Sequence, residues 1–154
     1  MAKVKLVFIF FSIINYCQDL SLDSNDLIVI EKLGDSLSQK SMFHEASIEY
    51  EKLVKIKPNN FNFNYKYSVA YGANVQLMSR FQQAKHVKGM INKFENALKL
   101  NKNHIGLNFA LLEIYLKVPR FLGGGKKKAF TIVNNIDSIS KKEGDLAKKM
   151  YDDF

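Results

Sequence analysis

The stretch "IEKLGDSLSQKSMFHEASIEYEKLVKIKP", residues 30–58, decides the fold. Ile30, Leu33 and Leu37 recur at i, i+3 and i+7, which places them on one face of an α-helix. Ala46 and Tyr50 stand four apart on a second helical stretch, and Pro58 stops that stretch because the residue before a proline avoids the helical region. Gly34 and Ala46 are small, as two helices require where they cross closely. Pro58 and Pro119 are the only prolines, so long helices are permitted nearly everywhere else.

The spacing large-x2-Leu33-Gly34-x2-Leu37, then Ala46-x3-Tyr50, then Pro58, closes a unit of 34 residues from Leu27 to Asn60. In residues and length it resembles the tetratricopeptide repeat. A second unit, Phe61 to His104, carries Asn64, Tyr67, Ser68 and Tyr71 in its first half and Met90, Phe94 and Ala97 in its second. It is about ten residues longer than the first, close to three helical turns, so both of its helices can lengthen and keep their facing. A third, residues 105–143, carries Asn108, Leu111, Leu112 and Tyr115, then Ala129, Val133 and Ile136. Residues 144–154 read as a closing helix, or as the start of a fourth unit, and show no C-cap signal. The resemblance implies an all-α chain of antiparallel helix pairs stacked as a short solenoid of about three repeats plus a C-terminal helix. In such solenoids the first helices line a concave face that holds peptides or protein segments. Family members that bind chaperone tails use Lys and Asn at the fifth and ninth positions of the first helix. Glu31 and Asp35 stand there instead, and they would repel a terminal carboxylate.

"FNFNYKYS", residues 61–68, alternates aromatic and polar residues as a strand would. A lone strand is not stable and the sequence offers no partner for it, so a helix is expected. Tyr65, Tyr67 and Tyr71 are then candidates for an aromatic stacking surface on the inner face, against the simpler reading that they are core.

The formal charge of +8 over 154 residues is uneven. Asp19 to Asn60 holds 5 Lys/Arg against 8 Asp/Glu, whereas Phe61 to Lys128 holds 12 against 2. A basic block of this kind suits an acidic partner or an anionic surface. It brings no motif of specific nucleic-acid recognition.

Near the N-terminus, Lys3 and Lys5 precede the apolar run Leu6 to Ile14 and a polar exit, the pattern of a secretory signal peptide over residues 1–18. Nine apolar residues are too few to cross a bilayer core about 30 Å thick, so no transmembrane span is expected after cleavage. Cys17 is the only cysteine, and Tyr16 beside it argues against lipidation. A mature chain over residues 19–154 would have no thiol chemistry. Heavy use of Lys, Asn and Ile suggests an AT-rich bacterial genome, hence a periplasmic or cell-surface location.

"PRFLGGGKKKA", residues 119–129, runs three glycines into three lysines. A phosphate-binding loop needs Gly-x4-Gly-Lys-Ser/Thr after a strand; here Arg120 occupies the first glycine position, Lys127 the hydroxyl position, and a helix precedes. A turn between the two helices of the third unit is expected, ended by Pro119 and restarted at Lys126, and tetratricopeptide-like bacterial proteins carry a similar insertion at this place. Exposed amides, a helix N-terminus and Arg120, Lys126, Lys127 and Lys128 would together favour an anion such as an acidic glycan, polyphosphate or lipid head group.

Catalytic and metal motifs are not apparent. His44-Glu45 begins like a zinc-protease motif, but Ile48 takes the second histidine position. "DLSLDSND" lacks the glycine and closing glutamate of a calcium loop and reads as a linker with Ser24 or Asn25 as a helix N-cap. No cofactor is expected. The expectation is an exported non-catalytic scaffold for a protein or peptide, with an anion-binding module as the alternative.

Overall fold

A computed structural model describes residues 24–154, so the signal-peptide reading and Cys17 lie outside the described residues. Those residues form seven α-helices: α1 (Ser24–Gln39), α2 (Phe43–Ile56), α3 (Phe61–Leu77), α4 (Arg80–Leu100), α5 (Ile105–Lys117), α6 (Lys126–Ile139) and α7 (Lys141–Asp152). A single 3₁₀ turn, Arg120–Leu122, lies between α5 and α6, and the described residues contain no strand. Each helix packs against the next in the chain, and the α4–α5 junction is the thinnest.

The first pair forms as its sequence requires, with one exception. Gly34 of α1 sits against the ring of Tyr50 on α2, where an added Cβ would stand 2.6 Å from Cε1. Ala46 and Leu53 are fully enclosed beside it. This contact turns Leu27, Ile30, Gly34 and Leu37 inward as one stripe, the three large residues packing on Ala46, Tyr50 and Leu53. Leu33, expected on the same face, is 48% exposed. It lies one position, about 100° of helix, from the glycine that sets the rotation.

The α2–α3 and α4–α5 turns are built with the same bonds. Asn60 caps α3 by accepting from the Phe63 amide at 3.1 Å. Asn64 then donates to the carbonyls of Pro58 and Asn60 at 2.8 and 2.9 Å. At the next such turn His104 Nδ1 accepts from the Leu107 amide at 3.1 Å, and Asn108 donates to the carbonyls of Lys102 and His104 at 2.9 and 3.1 Å. Asn64 and Asn108 are both buried, so these bonds satisfy polar groups that have no access to water. "FNFNYKYS" is thus helical, because Asn60 and Asn64 close the N-terminus of α3.

Two ends differ from expectation. Ser24 and Asn25 both lie inside α1, so neither is its N-cap. The last helix starts at Lys141, not Gly144, because Ser140 caps it from three residues before Glu143, the spacing of a capping box.

The core is in two parts divided by α3. Tyr50, Leu53, Phe63 and Ala70 centre the smaller part. Phe94, Ala97, Tyr115 and Ala129 belong to the larger, which runs to Ala147 on α7.

Candidate functional site: a groove between first helices and its neighbours

The residues singled out in the sequence fall at separate places, with Tyr67 and Tyr71 in one pocket and Arg120, Lys126, Lys127 and Lys128 in another. Tyr65 turns toward the N-terminus of α5, with its ring 4.9 Å from that of the cap residue His104 and 5.9 Å from that of Phe61. Tyr67 and Tyr71 turn the other way and share a cation: Lys93 Nζ lies 4.9 and 4.1 Å from their ring centres. Residues 65 and 67 are about 200° apart around a helix, so the three tyrosines do not make one stacking surface. All three are half-buried.

Tyrosine hydroxyls instead tie neighbouring helices together. Tyr50 donates to Asp35 at 2.6 Å, Tyr67 to Glu51 at 2.8 Å and Tyr115 to Glu95 at 2.6 Å. A lysine from a further helix neutralises two of the carboxylates. Lys66 donates to Asp35 and Glu31, each at 2.7 Å, and Lys128 to Glu95 at 3.1 Å. Burial, then the facing carboxylate, pushes all three phenols well above the ordinary tyrosine value. Burial alone would raise Asp35 and Glu95, but the hydrogen bonds they accept outweigh it and hold both below the usual range. Lys66 thus occupies Glu31 and Asp35, the acidic pair expected on the inner face.

Tyr67 and Tyr71 do line a small pocket of about 180 Å³ with His44, Glu51, Asn74 and His86. Its polar groups are turned on one another: Tyr71 meets His86 Nδ1 at 3.1 Å, Asn74 faces His44 Nδ1 at 3.4 Å and Tyr67 is spent on Glu51. Among the described residues no group of three or more His, Cys, Asp or Glu stands where it could hold a metal ion.

The glycine loop is a tight turn. Gly123 and Gly125 have φ of 105° and 117°, angles that favour glycine, and a Cβ on Gly124 would run into the Val118 carbonyl. Its amides are spent within the chain. Gly123 donates to Arg120 at 3.1 Å, Gly124 to Pro119 at 3.3 Å and Gly125 to Tyr115 at 2.7 Å. The expected cradle of exposed glycine amides is therefore not formed. Arg120, Lys126, Lys127 and Lys128 line one open pocket of about 660 Å³ with the three glycines. Lys128 also pairs with Glu95, Lys126 lies 5.5 Å from the Tyr151 ring centre, and Lys127 has no ion pair among the described residues.

The feature no sequence motif marked is a groove of about 650 Å³ flanked by α3 and α5. Val69, Gly72 and Ala73 of α3 form one wall, Ala110 and Ile114 of α5 the other, and Val87, Met90 and Phe94 of α4 the floor. Gln76, Gln83, Glu113 and Lys117 form a polar rim. Gly72 lies against the Phe94 ring, where an added Cβ would stand 2.9 Å from Cε2, and the thin junction of α4 with α5 leaves the groove open. The signal was present as Gly72-Ala73 and Ala110, but small helical residues read equally well as close-packing positions.

No protein-family model matches the chain, and no curated protein matches it. No helix among the described residues is long and apolar enough to cross a membrane.

Proposed function

We propose that the chain is an exported, non-catalytic scaffold of the tetratricopeptide kind, which holds a peptide segment of a protein partner between its first helices. The observation that carries this reading is the groove between α3 and α5. It is apolar along its floor, polar at its rim and of a size that takes a few large side chains. Its walls come from equivalent helices of successive units, the place where stacked helix pairs offer a concave surface. Binding there is helix-in-groove or extended-peptide recognition, in which apolar anchors supply affinity and the rim sets direction.

The test is selection of displayed random peptides on the full chain, followed by a comparison of variants. Peptides with two spaced apolar anchors are expected to emerge. They should lose binding at least tenfold to Ala110→Glu, which puts a charge in the wall, and keep it with Lys126/Lys127/Lys128→Ser. Peptides that ignore Ala110→Glu and depend on the three lysines would reverse the reading in favour of the anion-binding module.

A further inference from the structure

Successive helices are joined by short turns and run antiparallel, so the turns within units fall on one edge of the stack and the turns between units on the other. The within-unit edge carries the three most exposed large apolar side chains among the described residues: Phe121 at 77%, Leu77 at 72% and Phe81 at 71%. Met42, in the turn after α1, and Phe154, just after α7, are also exposed. None of Leu77, Phe81 and Phe121 lines the groove between α3 and α5 or either of the two pockets described above. The two central turns are close in space, since Gln76 and Gln83 at one and Lys117 and Val118 at the other border the same groove.

Their charge is one-sided. Residues 77–88 and 117–128 contain eight Lys/Arg and no Asp or Glu. Lys117 and Lys128 are paired with glutamates; Arg80, Lys85, Lys88, Arg120, Lys126 and Lys127 make no ion pair among the described residues. The cations sit among the apolar tips: Lys85 Nζ is 4.3 Å from the Phe81 ring centre, and Arg120 adjoins Phe121. The opposite edge, at residues 57–60 and 101–104, is Pro, Asn, Lys and His, and its side chains close the caps described above.

We propose that the within-unit edge docks the protein on an anionic lipid bilayer, with Leu77, Phe81 and Phe121 entering the interface and the unpaired cations lying among the head groups. This goes beyond the peptide groove and does not depend on it. Separate apolar tips on an exposed edge suit a deformable planar interface, into which such groups insert about 5–10 Å. An acidic protein surface would need pockets or matched shape to receive them. Each Lys or Arg near such a surface strengthens binding about fivefold, and salt weakens that share.

The chain has no tryptophan, so Phe121→Trp gives a single local reporter in the full chain, and Asn103→Trp gives its counterpart on the opposite edge. The vesicles are phosphatidylglycerol mixed with phosphatidylcholine, or phosphatidylcholine alone. The expected result is a blue shift of indole emission from the Phe121→Trp protein, and quenching by brominated lipid, with the anionic vesicles only. Emission from the Asn103→Trp protein should stay unchanged. Adding Arg80→Gln and Lys85→Gln to Phe121→Trp should lower the fraction bound about tenfold or more. Unchanged emission from the Phe121→Trp protein, an equal shift in the Asn103→Trp protein, or a shift produced by glycerol phosphate without vesicles would each overturn the proposal.

Discussion

The two edges of the helical stack are made from opposite materials. At the turns between units, Asn60, Asn64, His104 and Asn108 turn their polar atoms back onto the chain and leave little for a partner. At the turns within units, Leu77, Phe81 and Phe121 face solvent, and the cations beside them are mostly unpaired. Both edges serve the same geometric purpose of reversing the chain. The difference separates residues whose loss damages the fold from residues whose loss leaves it intact, and it places the surface available for contact on one side.

Gly124 is where the two roles meet, and it gives the largest expected effect. Gly124→Val drives a side chain into the Val118 carbonyl and should cost about 3 kcal/mol, or about 10 °C in Tm by circular dichroism. On the other edge, Asn108→Ala removes three side-chain hydrogen bonds, to the Lys102 and His104 carbonyls and from Asn135, and should cost about 2 kcal/mol in urea unfolding. Asn64→Ala, with two bonds lost instead of three, should cost about 1 kcal/mol. Equal losses at the two positions would contradict a contribution from the third bond, which Asn135 donates to Asn108.

The carboxylate–tyrosine ties sharpen the comparison through pH. Asp35, Glu51 and Glu95 have folded pKa values below their unfolded ones, so their contribution is present above about pH 4 and disappears as pH falls through the folded values. The phenols of Tyr50, Tyr67 and Tyr115 are raised, so their contribution is present below about pH 10 and disappears as pH rises beyond it. Urea midpoints should therefore fall on both sides. Tyr115→Phe should flatten the alkaline limb more than the acid one, because Lys128 still holds Glu95. Smallest of all, Phe81→Ser with Phe121→Ser should change stability by no more than about 0.5 kcal/mol, because neither side chain is buried.

The helical pairs were legible because the fold rests on period: Ala46, Tyr50, Ala97 and Ala129 are buried where their spacing puts them. Leu33 was misplaced because Gly34, one position away, controls how α1 rotates against Tyr50, and the pattern of large residues does not carry that information. Ser140 as the cap of α7 could have been read from Ser140-x2-Glu143. The groove and the exposed edge could not. Both depend on which turns share an end and which helices splay, facts of assembly with no local motif. The glycine loop is the turn its sequence announces; only the engagement of its amides was hidden, because glycine amides look available in a sequence and here Arg120, Pro119 and Tyr115 take them up.

Amide hydrogen exchange of the full chain, with and without phosphatidylglycerol vesicles, tests the division between the edges most directly. Added protection confined to residues 77–88 and 117–128, with the turns at 57–60 and 101–104 unchanged, is the result this account requires. Protection at the capped turns, or none at either edge, would contradict it.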